Sequence, residues 1–384
     1  MEIKPLSSRQ DLLKFIKFPF ELYGADPLWV APLISEQLKF FDPHKNPYFQ
    51  HSKAQLWLAI RSGKVVGRIS AQTNRNHNKE HQDRVGFFGF FETIDEQAVA
   101  DALLETAQNW LRAQGLDIMR GPANFSVNDQ CGLLIDGFSS PPLLLMSYNP
   151  PYYRTLLENY GFRKAMDMYA YQTEVRKPPE KLKNLADKIE AKGNFTIRAL
   201  KSKNKQKLRS DLEKIFAIYE DAWQKNWGYV PMSPAEFEQL VNTLLPIAIP
   251  ELIFIAEIAG KAVGLSVTLP DYNFILQKMK GKILPLGWLK FFYYKAKIPT
   301  LRVTIMGVLP QYKLRGIDVV MYYKSFQAAY AHKNQFKSAE FSWVLESNEM
   351  MNKVATSLGG KIYKTYRFYD LQISASTENG GTNV

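Results

Sequence analysis

The chain has 384 residues, of which 46% are hydrophobic and 22% charged, and its formal net charge is +12. This composition is typical of a globular protein, and at about 100–200 residues per domain the length predicts two domains. No run of roughly 18 apolar residues occurs, which excludes a membrane-spanning helix, and the N-terminus lacks the apolar core of a signal peptide. The single cysteine, Cys131, excludes an internal disulfide and predicts a cytoplasmic protein.

The apolar pattern of the N-terminal half predicts helices that alternate with strands. Ser8 is the expected N-cap of the first helix, and Ser62-Gly63 is expected to form a hairpin turn. The predicted strands are 3–6, 55–61, 64–73, 85–92, 117–121 and 165–175, and the predicted helices are 8–23, 96–113 and 151–160.

The C-terminal half is predicted to contain a similar series of elements. Residues 270–298 interrupt it as an insertion, and the polar tail 374–384 is expected to be disordered. The predicted strands are 195–200, 252–258, 262–269, 300–308, 338–345 and 361–373, and the predicted helices are 205–226, 234–247, 317–333 and 348–358.

Two pairs of segments resemble each other at nearly the same spacing. Residues 58–67 and 256–264 both carry an apolar strand, a Gly-Lys turn and a Val-Gly strand, and residues 153–161 match residues 351–359 as a helix closed by glycine. Repeated landmarks at one spacing indicate a duplicated domain. The predicted boundaries are therefore 1–176 for the first domain, 177–194 for a basic linker and 195–373 for the second domain.

The positive charge is concentrated between the two predicted domains. Residues 176–209 contain twelve Lys/Arg and three Asp/Glu, so 12 − 3 = +9 of the net charge lies there. A solvated connecting helix and strand is the favoured interpretation. A patch for an anionic partner such as RNA, CoA phosphates or a membrane surface is the alternative.

The most specific motif follows the predicted strand 300–308. The strand runs into Leu309-Pro310-Gln311-Tyr312-Lys313-Leu314-Arg315-Gly316, and an amphipathic helix begins at once. The free backbone N–H groups at a helix N-terminus favour phosphate oxygens, and glycine lets the backbone approach closely. Lys313 and Arg315 add positive charge, so the segment is predicted to cradle an anion.

This motif resembles the loop with which the GNAT acyltransferase superfamily binds the pyrophosphate of acetyl-CoA. The resemblance extends over most of 195–373, whereas residues 1–176 match in the order of their elements. It implies an α/β (α+β) fold of two tandem GNAT-like acyl-CoA N-acyltransferase domains, each with a mixed, mostly antiparallel sheet flanked by helices. The residues that it implies for binding acetyl-CoA or another acyl-CoA are Val308, Leu309, Lys313, Leu314, Arg315, Gly316, Ile317, Asp318 and Asn348.

The chain departs from the family pattern at several positions. Lys313 stands where the family has Arg or Gln, and Asp318 replaces a small residue in the first helical turn. The family's general-acid Tyr is replaced by Ala355, and by Leu157 in the first domain. The first domain also lacks the phosphate loop, since its predicted strand 85–92 is followed by residues 93–97, which contain two acidic side chains. We therefore interpret the first domain as a degenerate copy.

A dense group of polar side chains lies in the loop 121–137. Asn124, Ser126, Asn128 and Asp129 are predicted to orient a polar acceptor or to shape a groove between the domains. The alternative is a polar turn that satisfies its own backbone.

Acyl transfer to an amine needs a base, and Glu346 and Glu257, at strand ends, are the candidates. Cys131 has no histidine near it in the sequence, so a catalytic thiol is not expected. The five histidines show no metal-ligand spacing, and no metal is expected.

Aromatic residues and lysines are mixed between Trp288 and Lys295, within the insertion. Such a segment suits a membrane surface or an acyl-chain pocket. An ordinary core helix under a lid is the favoured interpretation.

The preferred function is therefore transfer of an acetyl or other acyl group from CoA to an amine of a small molecule or peptide. The N-terminal half would shape the acceptor groove, and nucleic acid is not expected as a partner. Two alternatives stay open. One is a catalytically inactive binding or regulatory protein with this fold, and the other is an aminoacyl-tRNA-dependent transferase, because peptidoglycan-bridge enzymes also resemble paired GNAT units.

Overall fold

The computed structural model describes residues 1–200, 204–281 and 287–373, and the predicted tail 374–384 lies outside them. Within these residues, thirteen strands and twelve helices follow one another. The strands are β1 Glu2–Pro5, β2 Ala54–Arg61, β3 Lys64–Thr73, β4 Val85–Thr93, β5 Ile118–Gly121, β6 Leu133–Asp136, β7 Arg163–Glu174, β8 Thr196–Ala199, β9 Ile253–Ile258, β10 Lys261–Pro270, β11 Thr300–Val308, β12 Ser338–Leu345 and β13 Lys361–Gln372. The helices are α1 Arg9–Leu22, α2 Ile34–Phe40, α3 Arg75–His81, α4 Gln97–Ala113, α5 Tyr152–Tyr160, α6 Glu180–Lys192, α7 Lys205–Trp223, α8 Pro234–Leu244, α9 Asn273–Met279, α10 Gly287–Lys295, α11 Ile317–Ala331 and α12 Glu349–Ser357.

The two predicted hairpins are confirmed and have the same turn. Ser62 and Gly63 between β2 and β3 have φ of 50° and 75°, and Ala259 and Gly260 between β9 and β10 have φ of 47° and 79°. Two consecutive residues with positive φ match the right-handed twist of a two-residue hairpin. The repeated sequence therefore encodes a repeated local structure.

The strands form one continuous sheet, in which the two halves exchange their last strands. The order is β1-β2-β3-β4-β5-β13-β7-β12-β11-β10-β9-β8, and β6 pairs with β13. β13, from the end of the chain, pairs with β5, and β7, from the first half, pairs with β12. The predicted mixed, mostly antiparallel sheet flanked by helices is confirmed. The boundaries 1–176 and 195–373 stay a prediction, since each range supplies a strand to the other.

Ion pairs join the exchanged strands. Arg120 of β5 binds Asp370 of β13 through both its Nε and Nη2, at 2.8 and 2.7 Å. Arg367 of β13 binds Asp167 of β7 in the same two-pronged way, at 2.7 and 2.9 Å. Forked contacts of this kind fix relative orientation as well as distance. They therefore hold the two halves in one register.

The predicted linker 177–194 contains a packed helix. Ala186 of α6 is buried in the same core group as Val320 of α11, and Lys324 of α11 forms an ion pair with Glu190 at 3.0 Å. α6 thus supports the helix that follows the predicted phosphate loop.

Candidate functional site

A cavity opens where β11 and β12 separate. The two strands pair in parallel only from Thr300↔Ser338 to Val303↔Phe341. Beyond that point a cavity of about 280 Å³ lies between them, and we call it the C-terminal cavity. Its lining is mostly apolar and includes Ile305, Trp343 and Trp223.

The predicted phosphate loop lies at the end of β11. Val308 and Leu309 are buried, and Leu309 N–H donates to the Val263 carbonyl at 2.9 Å. The next three residues form a 3₁₀ turn, and the Arg315 guanidinium lies 5.3 Å from the centre of the Tyr312 ring. The loop is thereby anchored at its start and exposed at its tip.

The N-terminus of α11 presents backbone N–H groups beside this tip. Gly316 is the N-cap residue, with φ of 76°, and among the described residues no side chain caps this end. The side chains of Lys313 and Arg315 are exposed, Ile317 is buried, and Asp318 lies in the first turn, partly buried. The predicted binding residues are thus brought together at a positively charged helix end.

Asn348 and Ala355 show how far the family pattern extends on the other side of the cavity. Asn348 lines the cavity and caps α12, because its Oδ1 accepts a hydrogen bond from Met351 N–H at 3.2 Å. Ala355 is buried in a small core with Tyr171 and Val344. The position of the family's general acid is therefore apolar.

The corresponding opening in the N-terminal half is bridged by protein. β4 and β5 pair only as far as Phe87↔Arg120. Ala123 N–H then donates to the Phe88 carbonyl at 2.8 Å, and Phe90 N–H donates to Asn124 Oδ1 at 2.8 Å. The part of β11 that β12 leaves unpaired corresponds to this part of β4. In β4, however, residues 123 and 124 of the chain itself occupy the edge. This agrees with the missing phosphate loop in this half.

A larger cavity, of about 410 Å³, lies on this side of the molecule, and we call it the N-terminal cavity. Aromatic and aliphatic side chains line much of it, among them Trp29, Phe40 and Phe90. Its volume and lining are those of a site for a small organic molecule.

A buried polar group forms part of the wall of the N-terminal cavity. Glu92 accepts hydrogen bonds from the hydroxyl of Tyr153, at 2.8 Å, and from the hydroxyl of Tyr23. Arg68 stands opposite Glu92 in the β3–β4 register, with its Nη2 3.6 Å from Glu92 Oε1. Burial raises the pKa of Glu92, and the Arg68 charge opposes that rise. Neither Arg68 nor Glu92 was predicted from the sequence.

The loop 124–130 separates the two cavities. Asn128 and Asp129 line both of them, and Asn124 and Ser126 line the N-terminal cavity. Ser126 Oγ accepts from Asn128 N–H at 3.2 Å, and Asn128 also contacts the Val230 carbonyl at 3.1 Å and the Tyr219 hydroxyl at 2.8 Å. The structure therefore brings the four predicted substrate residues together.

Asp129 differs from its neighbours because it titrates near neutral pH. Removal from bulk water, and then the negative charge of Glu236, raise its pKa to about 7. Glu236 is itself charged: burial favours its neutral form, but contacts with His51, at 3.2 Å, and with Ser233 N–H, at 2.8 Å, hold its pKa below the ordinary value. A carboxyl group of this pKa can both accept and release a proton at neutral pH.

Two known proteins are similar in sequence to nearly the whole chain. No protein-family model matches the chain. A bacterial ceramide synthase from Caulobacter vibrioides (strain NA1000 / CB15N) is 35% identical over 376 residues, which cover 96% of this chain and 97% of that protein. Protein YghO from Escherichia coli (strain K12) is 33% identical over 379 residues, which cover 97% and 95%.

The chain belongs to the family of these two proteins.

Solved structures establish the fold of this family member. A tandem GNAT protein from the clavulanic acid biosynthesis pathway superposes with a TM-score of 0.57 at 11% identity, over 97% of this chain and 98% of that one. A GCN5-related N-acetyltransferase from Sphaerobacter thermophilus gives a TM-score of 0.52 at 13% identity, over 97% and 95%. At such identities the likeness concerns the fold alone. This family member therefore has the tandem GNAT fold.

The two carboxylates predicted as bases lie outside both cavities. Glu346 is bound to Lys164 Nζ at 2.6 Å and to Asp167 N–H at 3.1 Å. Glu257 is bound by Arg198 and Lys214, and these contacts lower its pKa to about 2. Neither side chain lines either cavity. With its pKa lowered to about 2, Glu257 is a poor proton acceptor.

The surroundings of Cys131 do not favour a catalytic thiol. Cys131 is buried, and burial raises the pKa of its thiol, so that the nucleophilic thiolate is disfavoured. Among the described residues, no group of three or more His, Cys, Asp or Glu side chains could hold a metal ion. The helices of residues 1–200, 204–281 and 287–373 include none that is long and apolar enough to cross a bilayer.

Three charged residues of the site were not predicted from the sequence. Arg68 lies in β3 and Glu92 lies in β4, and they meet only through the β3–β4 register. Glu236 belongs to the capping box of α8, in which its carboxylate accepts a hydrogen bond from the Ser233 backbone N–H. A charged residue with apolar neighbours on at least one side, such as Ile69 beside Arg68 and Phe91 beside Glu92, is the signal that points to this pair.

Proposed function

We propose that the chain transfers a fatty acyl group from CoA to the amine of a long-chain amino alcohol and so forms a ceramide-type amide. The observation that carries the proposal is that two cavities meet at one carboxyl group, Asp129, with a pKa near 7. The relative named as a bacterial ceramide synthase supports the choice of acceptor, since a ceramide is an amide of a long-chain amino alcohol.

The C-terminal cavity is the proposed site of the acyl-CoA substrate. The pyrophosphate would lie at the N-terminus of α11, where Lys313 and Arg315 flank the N–H groups near Gly316. The pantetheine arm would run along β11, whose edge beyond Val303 is not paired with β12. The apolar lining beside it suits a fatty acyl chain better than an acetyl group.

The N-terminal cavity is the proposed site of the amine. Its aromatic and aliphatic lining would hold a long alkyl chain, and Glu92 with Tyr153 offers hydrogen bonds to a hydroxyl group. The bridged β4 edge supports this division of roles, because it leaves no open strand for a second pantetheine arm.

Asp129 is proposed as the proton acceptor between the two substrates. It would take a proton from the amine as the nitrogen forms its bond to the thioester carbonyl carbon. When the carbon–sulfur bond breaks, the same carboxylic acid would return a proton to the departing CoA sulfur. A separate tyrosine acid is then unnecessary, which would account for Ala355. Backbone N–H groups on the free β11 edge would stabilise the oxyanion.

The alternatives make different predictions. A binding or regulatory protein would take up acyl-CoA without turnover, and the apolar Ala355 position is the observation in its favour. An aminoacyl-tRNA-dependent transferase would use the basic stretch 176–209, but part of that stretch is the packed helix α6.

We propose the cytoplasm as the site of action, as the single cysteine suggests.

The test is a transfer assay on the purified full chain. Palmitoyl-CoA and sphinganine are supplied in mixed micelles. The free thiol of CoA is measured with a colorimetric thiol reagent, and the amide product is identified by mass spectrometry. We expect thiol release that depends on the amine and matches amide formation mole for mole. Binding of acyl-CoA without thiol release over an amine panel would support the inactive alternative. Salt-sensitive tRNA binding without acyl-CoA binding would support the third function.

A further inference from the structure

Helix α10 has two apolar faces, of which only one is packed. Phe291 stacks on Tyr272 with 5.7 Å between ring centres, and Tyr294 packs edge-on against Phe274 at 6.1 Å. These contacts hold one face of the helix against α9 and the residue before it, and the interpretation as a core helix under a lid stays a prediction.

The opposite face of α10 is an exposed apolar stripe. Leu289, Phe292 and Tyr293 are exposed by 47%, 68% and 59%. Their spacing of three and four residues places them on one side of the helix. Exposed apolar side chains that lie side by side, unlike single ones, are characteristic of contact sites. We call these three residues the α10 stripe.

The sequence around the α10 stripe is positively charged. From residue 273 to residue 300 the chain has six lysines and no Asp or Glu. Lys290 lies within α10, Lys295 ends it, and Lys297 Nζ stands 3.7 Å from the centre of the Tyr293 ring. An aromatic stripe bordered by lysines matches a bilayer whose surface carries anionic headgroups.

The α10 stripe lies close to the N-terminal cavity. α10 packs on α9, and Asn273 and Leu276 of α9 line that cavity. Gln277 of α9 also donates to the Pro27 carbonyl at 2.7 Å, on the loop that carries Trp29 of the cavity wall. A lipid molecule leaving a bilayer beneath α10 would therefore have one helix between it and the cavity.

We propose that the α10 stripe docks on an anionic lipid bilayer. The lysines supply the long-range attraction, and Leu289, Phe292 and Tyr293 enter the interface between headgroups and acyl chains. The inference goes beyond the proposed acyl transfer, because docking requires neither CoA nor an amine. Membrane contact at this position would present long-chain substrates to the N-terminal cavity.

The test is sedimentation of the full chain with sucrose-loaded vesicles. We expect binding to vesicles of phosphatidylcholine and phosphatidylglycerol at 3:1, and little binding to phosphatidylcholine alone. The double variant Lys290→Ala/Lys295→Ala should weaken the binding roughly 25-fold, from about fivefold for each lysine near an anionic surface. Phe292→Ser/Tyr293→Ser should weaken it by tenfold or more. Leu185→Ser, in the other lysine-rich part of the chain and 48% exposed, is the matched control and should bind normally.

A second measurement covers variants that fold poorly. In Phe292→Trp the new indole should be quenched by brominated lipids, and in Leu185→Trp it should not. The proposal is overturned if the chain does not bind anionic vesicles, or if the α10 variants bind them as well as the unmodified chain does. It is also overturned if Leu185→Ser is the variant that loses binding and the α10 variants keep it. A dimer that Phe292→Ser/Tyr293→Ser dissociates, measured by light scattering, would also overturn it in favour of a second copy. Because no acyl transfer occurs in these assays, their failure is separate from failure of the proposed function.

Discussion

Asp129 and Glu236 form an unequal pair of carboxyl groups. Both are withdrawn from bulk water, but Glu236 has His51 and the Ser233 N–H as partners, whereas Asp129 faces the charge of Glu236. One group is therefore held ionised and the other titrates near neutral pH. Two carboxyl groups whose pKa values are pushed apart are a frequent mark of acid–base sites.

Replacing Asp129 with Asn should remove the proton acceptor without a large change in volume. We expect kcat/KM for acyl transfer to fall by about 10²–10⁴-fold, the usual contribution of a general base, while acyl-CoA binding is retained. The transfer assay and calorimetry measure the two quantities. Asp136→Asn, at an exposed carboxylate of β6, is the control and should have little effect. Unchanged turnover in Asp129→Asn would remove Asp129 from the mechanism.

The pH dependence of the reaction should follow the Glu236 charge. Asp129 accepts a proton only when ionised, so kcat/KM should fall as the pH drops below about 7. Glu236→Gln removes a negative charge that raises the pKa of Asp129, so the acid limb of the profile should move to lower pH. Gln can still take part in the capping box of α8.

The control for this shift is Glu238→Gln, at an exposed position of the same helix, which should leave the profile unchanged. A shift of the acid limb to higher pH in Glu236→Gln would contradict the arrangement of charges described for the site.

For single residues, the sequence predicted which loop lies at the site but not the role of each side chain in it. The polar composition of residues 124–129 predicted the loop that separates the two cavities. It could not single out Asp129, because the pKa of that group depends on burial and on Glu236, which is more than a hundred residues away in the chain. Glu257 was chosen for its strand-end position, but Arg198 and Lys214 neutralise it.

At the scale of elements, the turn before α11 depends on a left-handed glycine. Gly316 has φ of 76°, and a Cβ there would lie 2.7 Å from Ile189 Cδ1 of α6. Gly316→Ala should cost about 1–2 kcal/mol of unfolding free energy from the left-handed backbone alone. It should also raise KM for acyl-CoA by roughly fivefold to tenfold, a loss of about 1–1.4 kcal/mol of binding.

Gly260→Ala is a matched control for this prediction, since its φ is 79° and no atom lies within 4 Å of the added Cβ. It should cause a similar loss of stability, measured by thermal unfolding, with no change in KM. Equal KM values for the two variants would contradict the role of the loop in binding CoA.

The forked ion pair between β5 and β13 is expected to contribute more to stability than a similar pair on the surface. Asp370→Asn leaves Arg120, whose side chain is 13% exposed, without a charged partner, and should cost about 1–3 kcal/mol in urea unfolding. Asp117→Asn removes the forked contact with Arg84, which is 63% exposed, and should cost less. A larger loss from Asp117→Asn would contradict the stabilising role of the junction.

Most elements were predicted from local pattern, and the exceptions have a common cause. The hairpins and the helix after the phosphate loop followed from alternating apolar residues, turn residues and caps. α2, α3, α9 and β6 are all seven residues or fewer, too short for a clear apolar period, and they were missed. The partners of β7 and β13 were missed because the pattern of a strand reports which face is buried and not which strand lies beside it.

At the scale of the whole molecule, the exchanged strands make the two halves one cooperative unit. β7 and β13 pair with each other along most of their length, and each also completes the sheet of the opposite half. We expect urea unfolding to show a single transition in which far-ultraviolet circular dichroism and tryptophan fluorescence coincide. Trp57 and Trp343 lie in different halves and report on both. Two separated transitions would contradict this expectation.

The exchange also has a consequence for synthesis on the ribosome. β5 has one edge that only β13 covers, and β13 begins at residue 361. The first half of the nascent chain therefore carries an unpaired strand edge until residues 361–372 have been translated. Such edges recruit other chains, so protection during translation matters more for this protein than for one built of two self-contained domains.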